Sequence, residues 1–298
     1  MRKTTKLRKL LERDEVLTLP GSYDALGARI LQTAGFDAVY MSGNATSASM
    51  VGAPDIGLMT VTEVLWRAQR IAAAIDIPLV CDADTGYGNL HNVTRTVRDF
   101  ETAGVAGIHI EDQVTPKKCG SLPGVEIAPM EEVLVKLEAA LRARKDPDFV
   151  IIARTDARNA GDFEEAIRRG KAFAELGVDL VYLEGLQSTE EIKEVARRLG
   201  DVPKYFSVLE WSPWTNIPIE EIKRLGFKVA MYSNSLNLIL TKAMENFAKH
   251  LKEHGDTRGL VPLMAKLHEE YNHVLGLTEY TKLENQIVDR IRSGGKTS

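Results

Sequence analysis

Short runs rich in β-branched and apolar residues recur along the chain, each followed by a longer stretch whose apolar positions fall three and four apart. The runs are VLTL (16 to 19), DAVYMSG (37 to 43), PLVCDAD (78 to 84), GIHIED (107 to 112), VIIARTD (150 to 156), LVYLEG (180 to 185), KYFSVLE (204 to 210) and KVAMYSN (228 to 234). Their length and composition predict strands. The spacing of Val64, Leu65, Ala68, Ile71 and Ala72, and of Ala166, Ile167, Ala172, Phe173 and Leu176, predicts helices between them. Gly35, Gly104, Gly177 and Gly226 stand just before the next strand, where helices commonly end on a glycine. Eight such alternations predict a closed (β/α)₈ TIM barrel. An open doubly wound sheet is disfavoured, because no phosphate loop or GxGxxG fingerprint is present. MRKTTKLRKLLERDEV reads as a short capping helix. From about Leu236 the chain is helical for longer than one closing helix needs, through LNLILTKAMENFAKHL and LVPLMAKLHEEYNHVL. The expected organisation is one barrel domain over 1–298, with 236–292 as an extended helical oligomerisation segment and SGGKTS as a frayed tail.

Composition narrows the function class. A 44% hydrophobic and 27% charged chain is ordinary for a globular protein. The net charge of −4 argues against nucleic acid, whose binders usually carry a basic excess, and favours a small-molecule partner. Two cysteines, Cys81 and Cys119, make no disulfide framework and fit a reducing cytoplasm. The N-terminus lacks the apolar stretch of a signal peptide, and no 18-residue apolar run suggests a membrane span.

Catalytic residues of parallel barrels collect at the C-terminal ends of the strands. Here those ends read Ser42-Gly43-Asn44, Asp82-Ala83-Asp84, Glu111-Asp112, Arg154-Thr155-Asp156, Glu184, Glu210 and Ser233-Asn234. Any one could cap the following helix, but so many polar ends at one mouth point to a site. Strand alternation puts Asp82 and Asp84 on one side and Cys81 on the other. With Glu111, these carboxylates need a cation to coexist. Hard oxygen ligands and the absence of HExxH-type histidine spacing favour Mg²⁺ or Mn²⁺ over zinc. The connection from Gln113 to about Pro129 is long for a βα loop and carries KKCGSLPG, which suggests a lid hinged at Gly120, Pro123 and Gly124. Lys117 and Lys118 would lower the pKa of Cys119 and attract an anionic substrate.

With these residues assembled, the chain resembles the isocitrate lyase and phosphoenolpyruvate mutase superfamily, and within it the methylisocitrate lyase group. The likeness spans about residues 15 to 290 and rests on YMSG, PDIGLMT, VCDADTGYGN, GIHIEDQVTPKKCG, DFVIIARTDA and AMYSNS, in that order. It implies a barrel whose terminal helix is exchanged between subunits, usually in a homotetramer built as a dimer of dimers. It also implies that Ser42, Gly43 and Asn44 hold a substrate carboxylate. Asp82, Asp84 and Glu111 would hold Mg²⁺, supported by Asp55, with Asp82 also facing substrate. Arg154 and Glu184 would orient the oxo-acid end, and Gly120, Ser121 and Ser207 fall at substrate-facing positions. Tyr40 would take the proton from the substrate hydroxyl and Cys119 would protonate the departing carbanion. Two positions depart from the group: Ser121 replaces the histidine of KKCGH and Ser207 replaces an asparagine, which removes polar partners expected for a tricarboxylate.

The expected activity is Mg²⁺-assisted retro-aldol cleavage of a small 2-hydroxy di- or tricarboxylate, of the methylisocitrate lyase or dimethylmalate lyase kind, releasing a 2-oxo acid such as pyruvate. Oxaloacetate hydrolysis or decarboxylation, or a phosphonopyruvate-type mutase reaction, is the alternative that the same residues would serve. A Schiff-base aldolase is disfavoured because none of the strand ends finishes on a lysine. A non-catalytic oxo-acid binder would fit Ser121 but not the retained Asp82, Asp84, Glu111, Cys119 and Arg154.

Overall fold

In a computed structural model of the chain, residues 1–293 are described, apart from the side chain of Lys266. The tail expected to fray lies, beyond Ser293, outside them. Eight parallel strands form the sheet: β1 (Leu17–Pro20), β2 (Val39–Met41), β3 (Leu79–Asp82), β4 (Gly107–Glu111), β5 (Val150–Thr155), β6 (Leu180–Leu183), β7 (Lys204–Ser207) and β8 (Phe227–Tyr232). Each pairs with its sequence neighbour from β2 to β8, and β8 pairs with β1. The last seam, β1 to β2, is closed by a single bridge between Gly21 and Tyr40, with the Ser22 N–H donating to the Tyr40 carbonyl at 2.7 Å. The predicted barrel is present, and the eight predicted runs supply its strands.

Helix α1 (Lys3–Glu12) precedes the barrel and α2 (Ala25–Thr33) follows β1. Helices α3 (Gly43–Val51) and α4 (Val61–Ala74) follow β2, and α5 (Leu90–Thr102), α6 (Met130–Ala143), α7 (Phe163–Leu176) and α8 (Thr189–Leu199) follow β3 to β6. Then come α9 (Ile219–Arg224), α10 (Ser235–His254), α11 (Val261–Val274) and α12 (Leu277–Arg292). Their ends follow local chemistry. Thr60 and Glu63 form a capping box on α4, and Gly177 closes α7 with φ 89°.

Period-2 alternation splits the strand residues into two cores. Outward positions such as Val39, Leu79, Cys81, Ile108, Ile151 and Phe206 pack under the helices. Inward positions fill the barrel. Leu17, Val150 and Val229 lie with Leu7 and Leu10 of α1, while Tyr40, Tyr182, Tyr205 and Met231 belong to the same interior cluster. Helix α1 is thus the expected cap.

The chain separates into two compact units, Met1–Ile239 and a second that begins at Leu240. The first contains the whole barrel. In the second, α11 and α12 leave Leu267, Tyr271, Leu283 and Ile287 exposed. No helix among the described residues is long and apolar enough to cross a membrane.

Candidate active site

The pocket at the C-terminal mouth begins where β2 turns directly into α3. Ser42 is the N-cap, accepting from the Ala45 N–H, so the unpaired N–H groups of the first turn face the mouth, where an anion is favoured. Gly43 has to be a glycine: a Cβ there would stand 2.7 Å from Asp82 Oδ2. Beyond β3 the backbone departs from the expected alternation. The strand stops at Asp82, and Asp84 lies outside it with φ 46°, its N–H donating to Asp82 Oδ1 at 2.9 Å. The two carboxylates share one small cavity with Gly43 and Asp55 because of this side-chain-bonded turn, not because of strand pleat.

The lid is docked. Gln113 holds the Lys118 backbone through both ends of its amide, at 2.9 and 3.0 Å, and the Cys119 N–H donates to the Asp55 carbonyl at 2.8 Å. Lys117, only 5% exposed, puts its ammonium 2.8 Å from Asp55 and 2.8 Å from Asp84. This corrects one expectation: Lys117 neutralises buried acids instead of presenting a free charge to substrate. Asp55 shares the small cavity with Asp82 and Asp84 and also anchors the lid. The Cys119 thiol, 3.2 Å from the Ser121 hydroxyl, is pushed up from its ordinary pKa by burial, which the Ser121 hydrogen bond only partly offsets. The expected lowering by the neighbouring lysines does not occur, so the thiol stays protonated at neutral pH. Cys81 points away into the outer core, as expected.

Arg154 is held as a fixed cation. Its Nε and one Nη donate to Asp156 at 3.0 and 2.8 Å, the other Nη lies 3.5 Å from Glu111, and the guanidinium stacks 5.2 Å from the Tyr182 ring centroid. Asp156 is fixed in turn: its N–H donates to Asp112, which Arg169 of α7 grips at 2.9 Å. The fork expected to hold substrate is therefore spent on Asp156, and only the Nη edge beside Glu111 is left for a ligand. Gly120 fits against this pair because a Cβ would come within 2.6 Å of Arg154.

Glu184 accepts a short hydrogen bond from the Tyr182 hydroxyl. The Tyr40 hydroxyl shares one of 2.7 Å with His109 Nε2, and burial pushes the Tyr40 pKa well above its ordinary value, so a free tyrosinate is not the resting base.

Of the expected residues, Tyr40, Ser42, Asn44, Asp55 and Asp82 line one pocket with Cys119, Gly120, Ser121, Arg154, Glu184 and Ser207. Gly43 and Asp84 lie in the adjoining small cavity, and Glu111 stands behind Arg154. His109, Tyr182 and the wall residue Met231 had not been singled out, and Asp156 had been read only as one of the polar ends at the mouth. Alternation carried the signal for His109, which stands two residues from Glu111 on the same face of β4, whereas Asp156 lies just past the end of β5.

The acids suit a hard cation in part. Burial opposes charge on Asp82, yet His109, Lys117 and Arg154 outweigh it and hold the carboxyl at about 2. Burial also drops His109 to about 4, so at neutral pH the two fixed cations carry that effect. Asp84 is pushed up by burial, against the pull of Lys117. Burial pushes Glu111 well up, and its Oε1 has no hydrogen-bond partner among the described residues. An ionised Asp82 and an orphaned Glu111 oxygen can be satisfied by a divalent ion. No three His, Cys, Asp or Glu side chains among the described residues form a complete cage, so water or substrate oxygens would fill the remaining positions.

A family model described as phosphoenolpyruvate phosphomutase matches residues 7–252. The chain is 40% identical to 2,3-dimethylmalate lyase of Eubacterium barkeri over 287 residues, 96% of this chain and 98% of that one. Among solved structures, oxaloacetate acetylhydrolase in complex with 3,3-difluorooxalacetate superposes with a TM-score of 0.88 at 34% identity, covering 99% of this chain and 98% of the other. Phosphonopyruvate hydrolase in complex with oxalate and Mg²⁺ superposes with a TM-score of 0.87 at 29% identity, covering 97% of this chain and 100% of the other. Motifs, barrel and comparisons agree: the chain belongs to the phosphoenolpyruvate mutase and isocitrate lyase superfamily.

Proposed function

We propose that the protein is a Mg²⁺-dependent carbon-carbon lyase that cleaves a small 2-hydroxy di- or tricarboxylate and releases a 2-oxo acid such as pyruvate. The observation that carries this reading is the protonated Cys119 thiol held over the Arg154 and Asp82 pocket by a docked lid. A carbanion released by retro-aldol cleavage needs an acid that is still protonated at neutral pH, and a thiol with a raised pKa is one. The N-terminus of α3 and the free Nη of Arg154 bind and orient the carboxylates. Tyr40 can take the hydroxyl proton as its own passes to His109 Nε2. The lid excludes water that would quench the carbanion unproductively. Asp82 and Glu111, with Asp84 through water, would hold the Mg²⁺, which when bound stabilises negative charge developing on the oxo-acid oxygens.

The likeness to oxaloacetate acetylhydrolase, together with Ser121 beside Cys119, favours hydrolysis of oxaloacetate as the second reading. Incubating the protein with 2-hydroxy di- and tricarboxylates and with oxaloacetate separates the two. Pyruvate or glyoxylate formed with Mg²⁺ and lost in EDTA supports the lyase, oxalate with acetate supports the hydrolase, and full turnover in EDTA removes the metal.

The expected homotetramer, with the terminal helix exchanged between subunits, is part of the same proposal. Its support is the exposed apolar series Phe247, Leu251, Leu267, Tyr271, Leu283 and Ile287 on α10 to α12. A monomer in light scattering at about micromolar concentration, where a specific oligomer persists, would remove it.

A further inference from the structure

Arg169 sits on the inner face of α7 among Ala166, Ile167, Gly170 and Phe173, and only 3% of it is exposed. An apolar side chain would fill that place without stripping a charge of its water. Instead, each of the three guanidinium nitrogens has an acceptor. Nε donates to Glu165 at 2.7 Å, one Nη to the Asp112 carboxylate at 2.9 Å, and the other Nη to the Ala128 carbonyl at 2.7 Å.

Asp112 and Ala128 are the two ends of one loop. Asp112 follows β4 directly, Ala128 stands two residues before α6, and the lid lies between them. The backbone joins the same ends. The Ala128 N–H donates to the Asp112 carbonyl at 2.8 Å, the Val114 N–H to the Glu126 carbonyl at 2.9 Å, and Gln113 pairs antiparallel with Ile127. This short stem carries Gln113, whose amide holds the Lys118 backbone next to Cys119. Asp112 also faces the substrate side. Its other carboxylate oxygen accepts from the Asp156 N–H at 2.8 Å, and Asp156 holds Arg154. One buried arginine that does not line the pocket therefore bears on the lid stem and on Arg154 through a single carboxylate.

We propose that Arg169 is a positioning residue: it clamps the two ends of the lid at Asp112 and Ala128 and, through Asp112 and Asp156, sets the orientation of Arg154, so that lid seating and substrate orientation are coupled. The effect on turnover rests on the lyase reading, whereas the clamp itself can be read without turnover.

The test uses the full chain with Mg²⁺ and two variants. Arg169→Lys keeps the charge but loses the fork. Arg169→Leu combined with Asp112→Asn removes the pair without leaving a buried charge alone, and the Asn oxygen can still accept from the Asp156 N–H. In the double variant the Cys119 and Ala128 amides should lose protection from hydrogen exchange together and by the same factor, because stem and lid move as one. Turnover of a 2-hydroxy dicarboxylate should show kcat reduced by about 100-fold, the scale of a small misplacement at the reacting centre. Oxalate, which still meets the Arg154 charge, should bind within about tenfold of the parent, so the loss falls on kcat more than on binding. Arg169→Lys should recover part of kcat. Arg168→Leu, which loses only the exposed pair with Glu165, should match the parent. Parent-like kcat and amide protection in the folded double variant overturn the proposal, as does a loss confined to the melting temperature. Were the parent to cleave nothing, the lyase reading alone would fall, and the two amides would still decide the clamp.

Discussion

Lys117→Met tests whether the lid is held by charge. The ammonium meets both oxygens of Asp55 and one of Asp84 at 2.8 Å, in a place almost closed to solvent. Removing one partner of a buried ion pair leaves uncompensated charge and costs about 3–5 kcal/mol. The lid offers an escape from that cost. By undocking, it returns Asp55 and Asp84 to water, so the penalty falls on the docking equilibrium and not on the barrel. About 3 kcal/mol corresponds to a shift of roughly 100-fold or more in docking. Hydrogen exchange reads this directly, because the Cys119 N–H is protected by the Asp55 carbonyl only while the lid is down. Protection of that amide should fall by about that factor, whereas the melting temperature of the barrel should move by no more than about 2–4 °C. Unchanged protection at Cys119 would refute the latch. A collapse of the whole fold would show instead that Lys117 supports the barrel.

Two further outcomes follow from the same geometry. Cys119→Ser should lose about 10²–10⁴-fold in turnover while still binding oxalate, because a hydroxyl is a far weaker acid than a thiol, and iodoacetamide should modify Cys119 slowly at neutral pH and faster only above the ordinary thiol range; retention of turnover within a few-fold would exclude it as the acid. His109 titrates near 4 in the fold against 6.5 when free, so between those values the unfolded chain binds more protons: stability is fully present above about pH 6.5 and falls by roughly 3 kcal/mol as pH drops to 4. Urea titrations should show a flatter acid limb in His109→Gln, and an identical limb would refute the assignment.

The barrel was legible because alternation in eight strands and helical spacing between them report the same two-layer burial. The site was legible as a set of strand ends, less so as a set of contacts. Asp84 was placed correctly at the mouth for the wrong reason, since the strand ends at Asp82 and a local hydrogen bond, invisible to periodicity, turns the chain. Lys117 was misread because its partner Asp55 lies 62 residues away and only the docked lid joins them. The fork of Arg154 was assigned to substrate although Asp156, two positions on and just past the end of β5, was in plain view. Alternation names the faces of side chains, but not which neighbour satisfies them first.

Beneath the pocket, the barrel interior carries a tier that packing alone would not choose. Tyr40 stacks on His109 at 5.6 Å between ring centroids, His109 meets Tyr182 edge-on at 5.8 Å, and Tyr182 leans on Tyr205 at 5.1 Å. His109 Nδ1 and the Tyr205 hydroxyl find no hydrogen-bond partner among the described residues. Each such orphan costs about 1–3 kcal/mol that a leucine or valine would not incur. The same interior cluster, where Leu7 and Leu10 of α1 join Leu17, Val150 and Val229, shows that apolar filling is available to this barrel. Polar rings persist, then, where they touch Tyr40, Asp82, Arg154 and Glu184, and their cost is confined to the tier on which the pocket stands. That is the distribution expected when stability is given up locally for a preorganised site.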